Sequence, residues 1–225
     1  MFGKIINFIK KAALWFFAVS IFVVILLRFV PVMFTPLMAI RFIENTMDDK
    51  TVYFNHDWEP LDRISPNLQK AVIASEDATF IDHYGFDFKA IKKAMKTNKK
   101  GKKLIGGSTI SQQTAKNVFL WQGRSWIRKG LEAYFTILIE IFWPKERIME
   151  VYLNSIEMGN GVYGAQAASR HWYSKDVNQL TKREAAGIAA ILPNPRKYEA
   201  SYSSAYINKR KSRIVSAMRR VKLDY

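Results

Sequence analysis

The sequence predicts a mainly α-helical domain carried by one N-terminal transmembrane helix. Two observations predict the domain: after residue 60 the apolar residues recur at spacings of three and four, not two, and capping signals recur along the same stretch. A third predicts the anchor: Ala12 to Leu27 is an uncharged run of 16 residues, AALWFFAVSIFVVILL, between Lys11 and Arg28. Composition agrees with a globular chain. Of the 225 residues 49% are hydrophobic and 24% charged, which excludes a disordered or collagen-like chain. With no cysteine, disulfides, thiolate metal sites and a catalytic thiol are excluded. The net charge of +16 points to a polyanionic partner: nucleic acid, anionic lipid or a phosphorylated substrate.

Sixteen helical residues span about 24 Å, short of a ~30 Å hydrocarbon core. Snorkelling of Lys11 and Arg28 and the apolar FVPVMF that follows make up the deficit. Pro31 and Pro36 are expected to end the helix. No small-x-small site follows Leu27, so an uncleaved signal anchor is expected rather than a removed peptide. Lys4, Lys10 and Lys11 put the N-terminus in the cytoplasm and the remainder outside the membrane. The expected division is 1–40 for tail and anchor and 41–225 for the domain.

Within the domain, Ser65-Pro66 is an N-cap followed by proline at the first helical position, opening a helix toward Glu76. Phe88, Ile91 and Met95 form one stripe on a lysine-rich helix. Thr109 and Gln112 form a capping box after Gly106-Gly107, and the helix runs toward Leu120. A long helix from about Ser125 carries Ile127, Leu131, Phe135, Leu138 and Phe142 and stops before Pro144, which opens the next. Thr181 and Glu184 form a second capping box, and the helix it starts is stopped by Pro193. The tail SSAYINKRKSRIVSAMRRVKL is basic and amphipathic. No sheet-forming run stands out, although short strands could hide in 50–60.

Five segments hold more polar residues than a helix face needs. They are Glu76 to Asp87; Gly106 to Gln113 with Lys116-Asn117; Arg128-Lys129 with Glu132; Lys145 to Asn154; and Ala190 to Pro195 with Tyr198. Each alone has a structural reading, such as an exposed helix end for Glu76-Asp77, packing for His83, or an intrahelical ion pair between Lys129 and Glu132. In this order and spacing they resemble the peptidoglycan glycosyltransferases of family 51, the polymerase half of bifunctional penicillin-binding proteins. The shared patterns are E-D-x-x-F-x-x-H-x-G, G-G-S-T-I-x-Q-Q-x-x-K-N, R-K-x-x-E, Y-L-N and L-P-x-P-x-x-Y, over residues 60–200. The short anchored form is similar to the family's monofunctional members, since no S-x-x-K or K-T-G follows. Pro193 stands where bifunctional relatives often carry Lys.

The resemblance implies a lysozyme-like α-helical domain that polymerises lipid II into β-1,4-linked glycan and releases undecaprenyl diphosphate with inversion. It implies Glu76 as general base, removing the proton from the acceptor hydroxyl. Asp77 is expected to orient the site. Glu132 is the second carboxylate, expected to assist the departing diphosphate or to hold a divalent cation, Mg or Mn, near it. By analogy with glycosidases an inverting pair stands ~6.5–9.5 Å or more apart. Lys116, Arg124, Arg128 and Lys129 are the candidates for neutralising the diphosphate. Ser108, Thr109, Gln112, Gln113 and Asn117 would bind sugar and phosphate, helped by the amides after Gly106-Gly107. The implied partners are lipid II and the growing glycan-diphospholipid, with other cell-wall synthases and division proteins, and no nucleic acid. The implied place is the bacterial inner membrane, with the catalytic domain in the periplasm. The lysines from Lys92 to Lys103 are read as a basic segment against anionic headgroups or the diphosphate. Two rivals stay open: a membrane-anchored muramidase-like hydrolase, which would not need the cationic set, and a tethered nucleic-acid binder, which would not need paired Glu residues.

Overall fold

The computed structural model describes residues 2–47, 54–99, 101, 106–123, 125–202 and 204–225. Among these, ten α-helices dominate: α1 (Phe2–Leu26), α2 (Pro36–Met47), α3 (Pro66–Glu76), α4 (Phe88–Lys99), α5 (Ile110–Phe119), α6 (Trp126–Phe142), α7 (Lys145–Ser155), α8 (Ala165–Tyr173), α9 (Lys182–Ile191) and α10 (Ala205–Met218). The caps behave as local chemistry requires. Ser65 accepts from the Asn67 amide, and Ser125 from the Arg128 amide. Thr109 with Gln112, and Thr181 with Glu184, make reciprocal capping boxes.

One expectation needs correction, and the strands allowed for in 50–60 are there in part. Pro36 does not end a helix but starts α2, where the missing N–H costs nothing at a first helical turn. The domain also contains a sheet, with strands β1 (Asn55–His56), β2 (Glu157–Gly159) and β3 (Val162–Tyr163) in the order β1-β3-β2. β1 runs parallel to β3 and β2 antiparallel to it. Strands of two or three residues carry no legible alternation. Asn154 supports this edge, accepting from the Glu59 amide and donating to the Glu59 carbonyl.

α1 is 25 residues long, the one described helix long and apolar enough to cross a membrane. It extends back through Lys11, Lys10 and Lys4 to Phe2, so its length comes from the N-terminal side. At ~1.5 Å per residue this is about 37 Å, ample for a bilayer core. Its second half packs on the domain. Ser20 Oγ and Tyr134 OH are 2.7 Å apart, and the Phe16 and Phe17 rings flank Tyr134. Trp143 Nε1 donates to the Val24 carbonyl at 2.7 Å, and Arg147 to the Leu27 carbonyl at 2.8 Å.

The core is assembled from α3, α5, α7 and α9, with the apolar faces of α6 and α10 closing it. Its largest fully buried side chains include Tyr152, Phe80, Ile110, Ile139 and Met149. α9 reads AAGIAA because it runs close to its neighbours. A Cβ on Gly187 would lie 2.2 Å from the Tyr173 hydroxyl and 3.1 Å from the Ala200 carbonyl.

Candidate active site

Glu76 is the last residue of α3, and its half-buried carboxylate meets donors from three elements. Ser75 Oγ donates to Oε1 at 3.0 Å, and Gln113 Nε2, on α5, donates to Oε2 at 3.3 Å. Arg210, on α10, stands 3.6 Å from Oε1 and donates to Ser75 Oγ at 3.0 Å. Behind Gln113, Tyr152 OH donates to its Oε1 at 3.3 Å, which orients the amide with its NH₂ toward Glu76. Burial pushes the Tyr152 hydroxyl far above the usual tyrosine range, and the charges of Glu76 and Asp77 add to the shift. Tyr152 therefore remains a donor.

Asp77 is buried and has partners of its own. Its Oδ2 accepts the Ile110 amide at 3.0 Å, at the start of α5, and His83 Nε2 faces the same carboxylate at 3.0 Å. The expected orienting role is thus a backbone and histidine anchor. It ties the segment after Glu76 to α5. His83 packs as a partner of Asp77, while its Nδ1 is buried without a hydrogen-bond partner.

α5 links the two carboxylates. Gln113 reaches Glu76, and Lys116, three residues on, shares that side of the helix and senses Glu132 on α6. Burial is the largest influence on Lys116 and lowers its pKa. Glu132 opposes this, and the positive charges of Arg128 and Lys129 lower it further. Glu132 is itself only 3% exposed. Arg128 donates to its Oε2 at 3.1 Å, and Lys129 Nζ to its Oε1. The intrahelical ion pair is therefore real and doubled.

Both Glu132 oxygens are held by cations, and no group of three or more His, Asp or Glu side chains able to hold a metal occurs among the described residues. With both oxygens so held, Glu132 does not offer a divalent ion a free carboxylate.

The remaining expected residues divide. Ser108 is exposed and lines a cavity of about 280 Å³ with Ile91, Met95, Gln112 and Lys129. An adjoining cavity of about 300 Å³ is lined by Ser125, Trp126, Arg128 and Lys129. Lys129 lines both, between the start of α5 and the start of α6. Thr109 is not available to substrate: it caps α5, and its hydroxyl donates to the Gly85 carbonyl at 2.6 Å. Gln112 spends its Oε1 on the Thr109 amide while lining the cavity. Asn117 is buried on α5. Arg124 lies outside the described residues, as do Lys100, Lys102 and Lys103 of the basic segment.

Arg210 and Ser75 escape a reading of motifs. A signal for Arg210 does exist. On α10 the inward positions are Ile207, Lys211, Ile214 and Met218, and Arg210 lies beside that stripe, where a solvated charge would not be placed.

Comparison with known proteins adds an independent finding. A family model described as "Transglycosylase" matches residues 44–219. The chain is 54% identical to the "Biosynthetic peptidoglycan transglycosylase" of Bdellovibrio bacteriovorus, covering 93% of this chain and 84% of that protein. It is 50% identical to the protein of the same name from Pseudomonas syringae pv. syringae, covering 98% and 94%. It is 52% identical to the one from Bacteroides thetaiotaomicron, covering 96% and 87%.

Proposed function

The chain belongs to the transglycosylase family, and from that premise we propose that it polymerises lipid II into β-1,4 glycan with Glu76 as general base and a cationic set built on α5 and α6. It is a glycosyltransferase of peptidoglycan synthesis, and the hydrolase reading is not supported by the relatives it matches. The acceptor's sugar hydroxyl attacks C1 of the donor as Glu76 takes its proton. The C1–O bond to the diphosphate breaks, and the lipid diphosphate leaves with the electron pair. Attack opposite the leaving group converts the α-linked donor into a β-linked product.

The observation that carries this reading is the placement of Glu76. It is half-buried, accepts from Gln113, and among the described residues its ion pair is one longer contact of 3.6 Å to Arg210. The departing diphosphate needs positive charge in a partly dry site. Lys116, Arg128 and Lys129 supply it. Glu132 keeps Arg128 and Lys129 aligned and limits their mutual repulsion. A hydrolase acting on neutral glycan has no use for such a set.

The anchor supports a membrane-bound enzyme with residues 1–40 as tail and transmembrane helix and 41–225 as the catalytic domain. Its three lysines put the N-terminus in the cytoplasm and the active site on the periplasmic side of the inner membrane. Lys92, Lys93, Lys96 and Lys99 are exposed on α4 beside exposed Phe88 and Met95, which suits an interfacial helix against anionic headgroups. The testing experiment is incubation of the purified chain with labelled lipid II in detergent or vesicles, scored for polymer. Polymer made by the native chain and lost with Glu76→Gln supports the proposal. Release of short glycans from preformed strands without polymerisation overturns it.

A further inference from the structure

Lys145 opens α7 in the fourth polar segment, to which the reaction above gives no task. Its ammonium crosses to the segment that follows Glu76. Nζ donates to the His83 carbonyl at 2.6 Å, pairs with Glu140 Oε1 at 2.8 Å and lies 4.7 Å from the centre of the Phe80 ring. Glu140 also accepts the hydroxyl of Ser111, in the first turn of α5. Lysine and glutamate side chains are 16% and 7% exposed, so the pair is desolvated on both sides. A buried pair of this kind contributes little net stability compared with apolar residues of the same volume. What it supplies is geometry.

The geometry concerns residues 77–87. That segment is fixed through Asp77 to the start of α5, through the Gly85 carbonyl to Thr109, and through the His83 carbonyl to Lys145. It also lies directly on α6. Gly85 has φ +79°, and a Cβ there would meet Thr136 Cγ2 at 2.7 Å and Glu140 Cγ at 3.0 Å. Among the described residues Lys145 is the cation that reaches this segment's backbone, and Glu140 is what aims it.

We infer that Lys145, aimed by Glu140, is a positioning residue of the polymerisation reaction. By holding the His83 carbonyl it sets the His83–Asp77 pair, and through Asp77 the end of α3 on which Glu76 sits. The inference rests on Glu76 as the base. It touches no substrate, so its loss should slow turnover and leave substrate affinity alone.

The test compares Lys145→Met, Lys145→Arg and Glu140→Gln in the full-length chain, with Lys175→Met as a control on an ion pair to Glu184. Lys145→Met should lower kcat ten- to a hundredfold with KM for lipid II within twofold, while thermal unfolding stays cooperative. Lys145→Arg, which keeps a cation for both oxygens, should recover at least a third of the lost turnover on a logarithmic scale. Glu140→Gln should fall between them, and the control should match the native chain. Lys145→Met in a Glu76→Gln background should add less than threefold, because the group being positioned is gone. Native kcat in Lys145→Met, or a loss that parallels the unfolded fraction and is not recovered by arginine, overturns the inference. Failure of the Glu76 reading is seen separately, as retained activity in Glu76→Gln alone.

Discussion

Glu76 accepts from a serine hydroxyl and a glutamine amide, with one guanidinium at 3.6 Å, whereas Glu132 gives both oxygens to cations of its own helix. The two carboxylates stand on α3 and α6 and are joined by α5. Their surroundings assign different work to the same chemical group. A proton acceptor needs a lone pair that the incoming hydroxyl can reach, and neutral donors leave one. A carboxylate with an arginine and a lysine on it acts as a counter-charge: it lets cations be concentrated where the leaving group departs. The resemblance already implied different work for them, Glu76 as general base and Glu132 assisting the departing diphosphate or holding a divalent cation near it. The contacts around each carboxylate suit the division proposed above.

The largest effect should come from Glu76→Gln. Glutamine keeps the size and the contacts to Gln113 and Ser75 but cannot take a proton. Loss of a general base costs ~10²–10⁴-fold in rate. The expected outcome is a fall in kcat of that order, with the fold and the binding of lipid II nearly intact. Retention of more than about a tenth of the native rate would remove Glu76 from the role and dissolve the contrast with Glu132.

Lys116 comes next. Replacing it by Met should remove the proposed charged contact to the diphosphate, about 1.5–3 kcal/mol, or roughly 10–150-fold in kcat/KM. Its pH behaviour gives a second reading. Burial lowers its pKa, so as pH rises the free enzyme loses this charge earlier than an exposed lysine would. Between the lowered folded value and the ordinary unfolded one, the unfolded chain binds more protons, so stability rises with pH there while kcat/KM falls. Lys116→Arg should move the alkaline limb of the kcat/KM profile upward. An unmoved limb assigns it to another group.

Glu132→Gln should show the reverse balance to Glu76→Gln. Glu132 is buried and the Arg128 side chain largely so, while Lys129 is about half exposed, so the cost of leaving Arg128 without its partner is about 1–3 kcal/mol. The expected result is a melting temperature lowered by several degrees with only about a tenfold loss of kcat. A thousandfold loss at unchanged stability would make Glu132 an equal partner in proton chemistry.

What the sequence disclosed and what it withheld follow the range of the interactions. The capping boxes at Thr109 and Thr181, the N-caps at Ser65 and Ser125 and the stop before Pro144 involve residues two to four apart, and each stands where expected. The five polar segments were legible as patterns. Their division into working and supporting groups was not, since it depends on which atom of Gln112, Thr109 or Asp77 is already bonded. Arg210 and Ser75 are 135 positions apart, and His83 and Lys145 are 62 apart. No periodicity reports such pairs. β1 pairs with β3 across more than a hundred residues by two residues a side, too short to leave an alternating pattern.

The smallest effect lies where anchor and domain meet, and it tests whether α1 is more than a tether. Ser20 is the one polar side chain in the uncharged run, and its hydroxyl meets Tyr134 on α6 between the rings of Phe16 and Phe17. In lipid such a bond contributes about 0.6 kcal/mol on average, because the separated partners find other acceptors. Tyr134→Phe keeps the ring contacts and removes the hydroxyl. For a chain of this size it should lower the melting temperature in detergent by about 1–2 °C, and Ser20→Ala by a similar amount. The double variant decides the matter. If the two hydroxyls bond each other, Ser20→Ala together with Tyr134→Phe should cost little more than either alone. Fully additive losses would mean that each hydroxyl has its own partner and that the contact between α1 and α6 is made by the aromatic rings and Trp143.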